Sequence, residues 1–291
     1  MKESFSYGEA FLYLPFIQSM FMSLKKKVKK TISYIVPKGY AKEKIKLFFY
    51  GLFQKKGISF EIIRKDKDKV IYKTTFGKTT LLTNEALYHI AEDFNYYQYF
   101  YKTKKNDIVI DAGANFGHIA IFLSKQVGAN GKVYCFEPDK FNIERLNSNR
   151  KLNEDLADNI VIEDLLLWNE NILVDFEEAG TVGSSAIWFS ENAKLVKKQA
   201  VTLDSWAKKL DLQCLDFIKM DIEGAEIEAL DGCVEIIKRF RPNFAIASYH
   251  IVNGKPTYIK VEEFFKKMDY PHKTITFRGN EIITFAGSGI A

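Results

Sequence analysis

Long apolar runs, cysteine, proline and histidine are all scarce in this 291-residue chain, which holds three Cys, six Pro and four His. The apolar stretch Phe11 to Met22 covers only twelve residues, against the ~20 that span a bilayer. Its upstream flank carries Glu3 and Glu9 and no small-residue cleavage site follows, which argues against a secretory leader. Cys135, Cys214 and Cys233 show no paired metal spacing, so buried free thiols in a reducing compartment are expected, and with them a cytoplasmic location. No internal repeat or low-complexity segment is visible. What is present, 47% hydrophobic residues in a chain longer than one typical domain, suffices to bury a full core.

Acidic residues are sparse in one region only. Residues 22–73 hold 16 Lys/Arg against 4 Asp/Glu, a charge of +12, whereas the whole chain carries +5 and the remainder therefore −7. One reading is a peripheral contact with an anionic membrane through the aromatic segment 11–22 and the cluster Lys25–Lys30. A solvated basic helix capping the fold is the simpler reading. Nucleic acid ranks last as a partner, because no recognition module is visible and the aromatics of Ile45–Phe53 fall at helix-core positions.

Residues 1–57 read as helical stretches broken around Pro37-Lys-Gly39. The period then changes to two, predicting short strands at 58–63, 70–75 and 79–83, and a helix rich in aromatics over 84–102. That aromatic belt is expected to pack the N-terminal region on the rest. From 106 onward strands and helices alternate, which predicts a parallel α/β sheet covered on both faces. Strands are expected at 107–112, 132–137, 159–163, 215–221, 243–249, 274–278 and 281–286, and helices at 117–128, 139–152, 204–210, 224–239 and 258–268. Arg278-Gly-Asn280 is a hairpin signal, so the last strand should be antiparallel. The segment 164–203 looks strand-like, with a loop around Gly180 and Gly183-Ser-Ser positioned to reach over a ligand. The expected division is an N-terminal helical and short-strand extension, 1–103, and a main domain, 104–291.

The run Asp111-Ala-Gly113-Ala-Asn115-Phe-Gly117 turns a buried strand into a helix, with glycines where backbone turns tightly or approaches a ligand. A dinucleotide fingerprint would need a middle glycine, but Asn115 stands there, and Asp111 at the strand end would repel a diphosphate. A cofactor with cationic sulfonium and ammonium groups, S-adenosylmethionine (SAM), suits that acid better. Glu137 ends the next strand 26 residues after Asp111 and is the candidate for the ribose hydroxyls; its other reading is a helix-start acid before Pro138 and Asp139. Lys219, Asp221 and Glu223 crowd a further strand end, a costly arrangement unless paired or functional. His250 marks the next strand end, where it is either structural or able to accept a proton.

Taken together, Asp-Ala-Gly-Ala-Asn-Phe-Gly at 111–117, Phe-Glu-Pro at 136–138, Leu-Trp at 167–168, Gly-Ser-Ser at 183–185, Leu-Asp at 203–204, Ile-Lys-Met-Asp-Ile-Glu-Gly-Ala-Glu at 218–226 and Tyr-His at 249–250 resemble the FkbM-type SAM-dependent methyltransferases. The resemblance covers about 104–287. It implies the class I, Rossmann-like fold with seven strands, the last antiparallel, and methyl transfer to a hydroxyl oxygen of a sugar, glycan or other small molecule. It implies SAM held by Asp111, Gly113, Asn115, Gly117 and Glu137, and an active-site place for Lys219, Asp221, Glu223 and His250, without fixing the role of each. The chemistry expected is in-line displacement, with His250 or Asp221 as base and Lys219 steadying the alkoxide or orienting the carboxylates. A divalent metal on Asp221 and Glu223 could do the same task, although two ligands are too few to commit to one. The alternatives are an NAD-dependent oxidoreductase and a non-catalytic docking module that keeps the fold.

Overall fold

A computed structural model of the protein describes residues 39–51, 57–64, 70–154, 159–180, 183–277 and 280–290. The aromatic segment 11–22, the Lys25–Lys30 cluster and Arg278-Gly279 of the expected hairpin turn lie outside the described residues.

Helix α1 (Tyr40–Gly51) precedes an antiparallel meander of β1 (Ile58–Arg64), β2 (Val70–Phe76) and β3 (Thr79–Thr83), the three short strands expected there. The aromatic segment after it differs from expectation. Only α2 (Asp93–Tyr97) is helical. The rings are claimed from several directions, which one helix face cannot satisfy: Phe94 stacks on Phe122, Phe100 meets Phe285 and Tyr101 stacks on Phe217. Tertiary packing here overrides local helix propensity.

The main sheet follows the alternation. Its elements run β4 (Ile108–Ala112), α3 (His118–Val127), β5 (Lys132–Phe136), α4 (Lys140–Lys151) and β6 (Ile160–Glu163). A small side sheet of β7 (Leu166–Leu167), β8 (Leu173–Glu177) and β9 (Leu195–Val201) interrupts, in the order β7-β9-β8. Then come α5 (Leu203–Lys209), β10 (Phe217–Met220), α6 (Glu226–Asp231), α7 (Val234–Phe240) and β11 (Asn243–Ala247). The two-residue strands β12 (Ile251–Val252) and β13 (Lys255–Pro256), helix α8 (Tyr258–Lys267) and the hairpin β14 (His272–Thr276) and β15 (Ile282–Ala286) finish the domain.

Seven strands pair in the order β14-β15-β11-β10-β4-β5-β6, and β15 is antiparallel to both neighbours, as expected for the last strand. Successive side chains of a strand serve opposite faces. Val109 and Phe217 therefore join one buried cluster, and Ile110 and Ile218 the other. The first cluster also takes in Ile58, Leu81, Leu87 and Phe94, so the meander and the main sheet share one core. Two asparagines of this region add directional bonds: Asn149 Oδ1 accepts from the Asn84 amide at 2.8 Å, and Asn153, just past α4, exchanges hydrogen bonds with the Leu82 backbone in both directions.

The single helix expected over 224–239 is two. At the break, a Cβ on Gly232 would meet the Trp168 carbonyl oxygen at 2.1 Å, and Asp204 of α5 caps α7 by accepting from the Glu235 and Ile236 amides. The thiols also depart from expectation in one case: Cys135 and Cys233 are buried and free, but Cys214 lies exposed in the turn before β10. Among the described residues, no helix is long and apolar enough to cross a membrane.

Candidate active site

The chain leaves β4, runs out through β5 and β6, and returns to pair β10 on the other side of β4. Such a reversal leaves a crevice at the carboxyl ends of the strands, the usual ligand site of open α/β sheets. The predicted residues meet there. Gly113 (φ +75°) and Gly117 (φ +84°) shape the turn after β4. A Cβ on Gly113 would fall 1.8 Å from the Asp221 carbonyl oxygen, and one on Gly117 would fall 2.7 Å from Leu146 Cγ. No other residue fits either place. Asn115 also has positive φ, and its side-chain oxygen is buried without a partner.

Glu137, at the end of β5, ties this loop down. Its Oε2 accepts from the Asn115 amide at 2.7 Å, and its Oε1 from the Asp139 amide at 3.0 Å and the Asn142 side chain at 3.4 Å. Burial outweighs these bonds and pushes the carboxyl up to about 7. The helix-start role falls to Asp139, whose Oδ1 accepts from the Phe141 and Asn142 amides. Its other oxygen holds the 164–203 segment through the Gly180 amide at 2.8 Å and Ser184 Oγ at 2.6 Å.

Asp111 is fully buried. The Lys219 ammonium lies 3.0 Å from its Oδ1 and donates to the carbonyls of Gly113 at 2.9 Å and Ala112 at 3.3 Å. Burial works against the Lys219 charge, yet Asp111 and Asp221 outweigh it and hold its pKa above the ordinary value; burial likewise raises Asp111, with Lys219 opposing. Lys219 therefore staples β10 to β4 under the glycine loop. The charge of Asp111 is cancelled on the spot, so the case against a diphosphate passes from Asp111 to the missing middle glycine.

Just beyond the end of β10, Asp221 lies on the same side as Lys219, beside Tyr97. Its Oδ2 accepts from Tyr97 Oη at 2.9 Å, while its Oδ1 faces His250 Nε2 at 3.7 Å. Glu223, in the left-handed region at φ +55°, brings Oε2 to 3.5 Å from the same nitrogen. The opposite ring nitrogen, Nδ1, lies 3.0 Å from Oε1 of Glu226, a fully buried carboxylate that also accepts from the Ile222 and Gly224 amides. Burial lowers the pKa of His250, but Glu223 and Glu226 more than reverse it, to about 10. Asp93 sits on the same side, where burial and the charges of Glu281 and Asp221 push its carboxyl up to about 8. Ser185 Oγ donates to the Glu223 carbonyl at 3.3 Å, and the half-exposed Trp188 indole lies over Gly224 with its ring 5.9 Å from that of His250.

Lys219 and Asp221 share one face, as alternation predicts: the Lys219 ammonium lies 5.4 Å from the centre of the Tyr97 ring whose hydroxyl donates to Asp221, and Lys219 also reaches across to Asp111 of β4 while Asp221 faces His250. Sequence reasoning gave no role to Tyr97 or Glu226. Glu226 carried a signal, as the last acid of the Asp-Ile-Glu-Gly-Ala-Glu run, three residues after Glu223. Tyr97 carried none beyond its place in the aromatic belt.

Residues 111–271, more than half of the chain, match the methyltransferase FkbM domain family. The 2-O-methyltransferase NoeI of Sinorhizobium fredii (strain NBRC 101917 / NGR234) is 24% identical over 156 residues, which are 47% of this chain and 62% of that protein. Methyltransferase sdnD of Sordaria araneosa is 25% identical over 208 residues, 61% of this chain and 73% of that one. A crystal structure of methyltransferase FkbM from Methylobacillus flagellatus KT shares the fold, with a TM-score of 0.50 at 20% identity over 65% of this chain and 45% of its own. The match to NoeI thus spans under two thirds of that protein, and the match to the crystal structure under half of its chain.

Proposed function

This chain belongs to the methyltransferase FkbM family, and on that premise we propose that it transfers a methyl group from SAM to a hydroxyl oxygen of a sugar, glycan or other hydroxylated small molecule. The observation that carries the reading is the contact of Gly113 with the Asp221 carbonyl, closer than any side chain allows. It puts the cofactor turn and the Asp221, Glu223 and His250 cluster on one edge, where a methyl donor and its acceptor must meet. The residues suit SAM: the orphaned Asn115 Oδ1 and the Glu137 carboxylate flank the turn, and Glu137 is the group for the ribose hydroxyls. The name of NoeI, a 2-O-methyltransferase, supports oxygen as the acceptor atom.

SAM supplies an already activated methyl group, so the protein's part is to hold an acceptor oxygen in line, about 3 Å from the methyl carbon, and to remove its proton. Within the Asp221, Glu223 and His250 cluster the carboxylates are the groups that take the proton, since His250, held up to about 10 by its acidic neighbours, already carries one near neutral pH. Tyr97 and Glu226 fix the orientation of Asp221 and His250. Lys219 acts at a distance, holding the Ala112 and Gly113 carbonyls, and so the turn, in place.

The test is incubation with methyl-labelled SAM and fractionated cell extract, with Asp221→Asn as control. Label should enter a fraction of hydroxylated small molecules with the native protein and fall by about 10²–10⁴ in the variant. A thermal shift with NAD but none with S-adenosylhomocysteine would overturn the reading in favour of an oxidoreductase.

A further inference from the structure

Two atoms at the carboxyl edge, Asp221 Oδ1 and His250 Nε2, belong to side chains oriented from behind and make no hydrogen bond in front. Asp221 has one oxygen bound to Tyr97, while its Oδ1 is buried and accepts no hydrogen bond. His250 has Nδ1 set against the buried Glu226, which points Nε2 the opposite way, and Nε2 too is buried without a hydrogen bond. A carboxylate behind a histidine is the arrangement that orients imidazole toward a metal and fixes its tautomer. Glu223 supplies the third atom from a left-handed backbone, a strained conformation that tends to occur where a side chain must be aimed.

We propose that Asp221 Oδ1, Glu223 Oε2 and His250 Nε2 are the protein ligands of a divalent-cation site, the ion displacing the Nε2 proton of His250 to solvent as it binds. The separations fit. Nε2 lies 3.7 Å from Asp221 Oδ1 and 3.5 Å from Glu223 Oε2, and all three atoms fall within 4.8 Å of one another. These gaps exceed a charged hydrogen bond of about 2.8 Å, but they are close to the roughly 3.0–3.5 Å between two ligands that share one ion at about 2.1 Å. Two carboxylate oxygens and one imidazole favour a borderline ion such as Mn²⁺ or Zn²⁺ over Ca²⁺, which prefers six to eight oxygens. Asp221 and Glu223 are 25% and 28% exposed at their side chains, so the site opens on one side to further oxygen ligands. The role of those positions rests on the methyl-transfer reading: an acceptor hydroxyl bound there loses its proton more readily, because the cation stabilises the alkoxide.

Mn²⁺ titrated into the metal-stripped full chain, followed by the electron paramagnetic resonance of the free ion, tests the site. One ion should bind per chain, and Asp221→Asn and Glu223→Gln should each weaken it at least about tenfold. Nitrogen modulation in the electron-spin echo of bound Mn²⁺ should disappear in His250→Ala, which separates a ligand from a merely structural histidine. Thermal melts of the three variants verify that they fold, and only folded variants are scored. No stoichiometric binding, binding unchanged in both carboxylate variants, or no nitrogen modulation in the native protein overturns the proposal. Calorimetry with S-adenosylhomocysteine on the same preparation keeps the two readings apart: S-adenosylhomocysteine bound without Mn²⁺ overturns the cation site alone, and neither bound overturns the SAM reading as well.

Discussion

Glu137 should make cofactor affinity depend on pH near neutrality. Its carboxyl is raised by burial from the ordinary 4.5 to about 7. The protonated form of a raised acid is favoured in the fold, so between pH 4.5 and 7 the native state keeps a proton that the unfolded chain has lost. Stability therefore falls as pH rises through that window and is flat, as far as Glu137 is concerned, above it. The difference is worth about 3 kcal/mol at ~1.4 kcal/mol per pH unit. Ribose hydroxyls donate to the ionised form, so cofactor binding runs the opposite way and strengthens as Glu137 ionises. About one tenth of Glu137 is ionised at pH 6 and about nine tenths at pH 8, which predicts a roughly ninefold tighter Kd for S-adenosylhomocysteine across that span. Titration calorimetry at half-unit steps reads it directly. Glu137→Gln should bind more weakly throughout, by at least about tenfold, and lose this slope. Asp93, raised to about 8, titrates in the same range, and any slope remaining in the variant belongs to it and not to Glu137. An affinity that is flat from pH 6 to 8 in the native protein, or equally steep in Glu137→Gln, would remove Glu137 from the cofactor site.

Gly113→Ala should destabilise the protein by at least about 3 kcal/mol, because a positive φ costs about 1–2 kcal/mol and the Asp221 carbonyl must move besides; urea unfolding measures it, and a loss under 1 kcal/mol would refute the contact. Lys219→Met strands a buried Asp111 carboxylate and should cost about 3–5 kcal/mol, most of it recovered in the Lys219→Met, Asp111→Asn double variant; equal stability of single and double variants would show that the pair is not coupled. If the basic N-terminal region docks on anionic lipid, co-sedimentation with anionic vesicles should exceed that with neutral ones and fall as salt rises, and equal partitioning would leave the region as a soluble cap.

The periodic parts of the fold were legible in the sequence because burial imposes the period. The inner strands β15, β11, β10, β4 and β5 each serve two cores, and their apolar runs are readable for that reason. The 84–102 helix and the unbroken 224–239 helix failed where packing decided locally: rings pulled toward three different partners in one case, a carbonyl pressed against Gly232 in the other. Of the candidate site, every residue named from the sequence lies at the same sheet edge, since strand ends and glycine turns are written in local order. The partnerships were not legible. Lys219 with Asp111 and Tyr97 with Asp221 join residues 108 and 124 positions apart, and no local pattern encodes which acid a lysine or tyrosine will meet.

The hydroxyl of Tyr97 gives the stretch ahead of the glycine turn a stake in the chemistry. Asp221 takes its orientation from a residue that precedes the family-matched segment, on a helix seated against α3 by the same ring packing that holds the meander. A fragment cut to the matched segment alone would lose that hydroxyl, and with it the bond that leaves one oxygen of Asp221 facing the crevice. The catalytic half is thus not a cassette that can be lifted out and fused elsewhere.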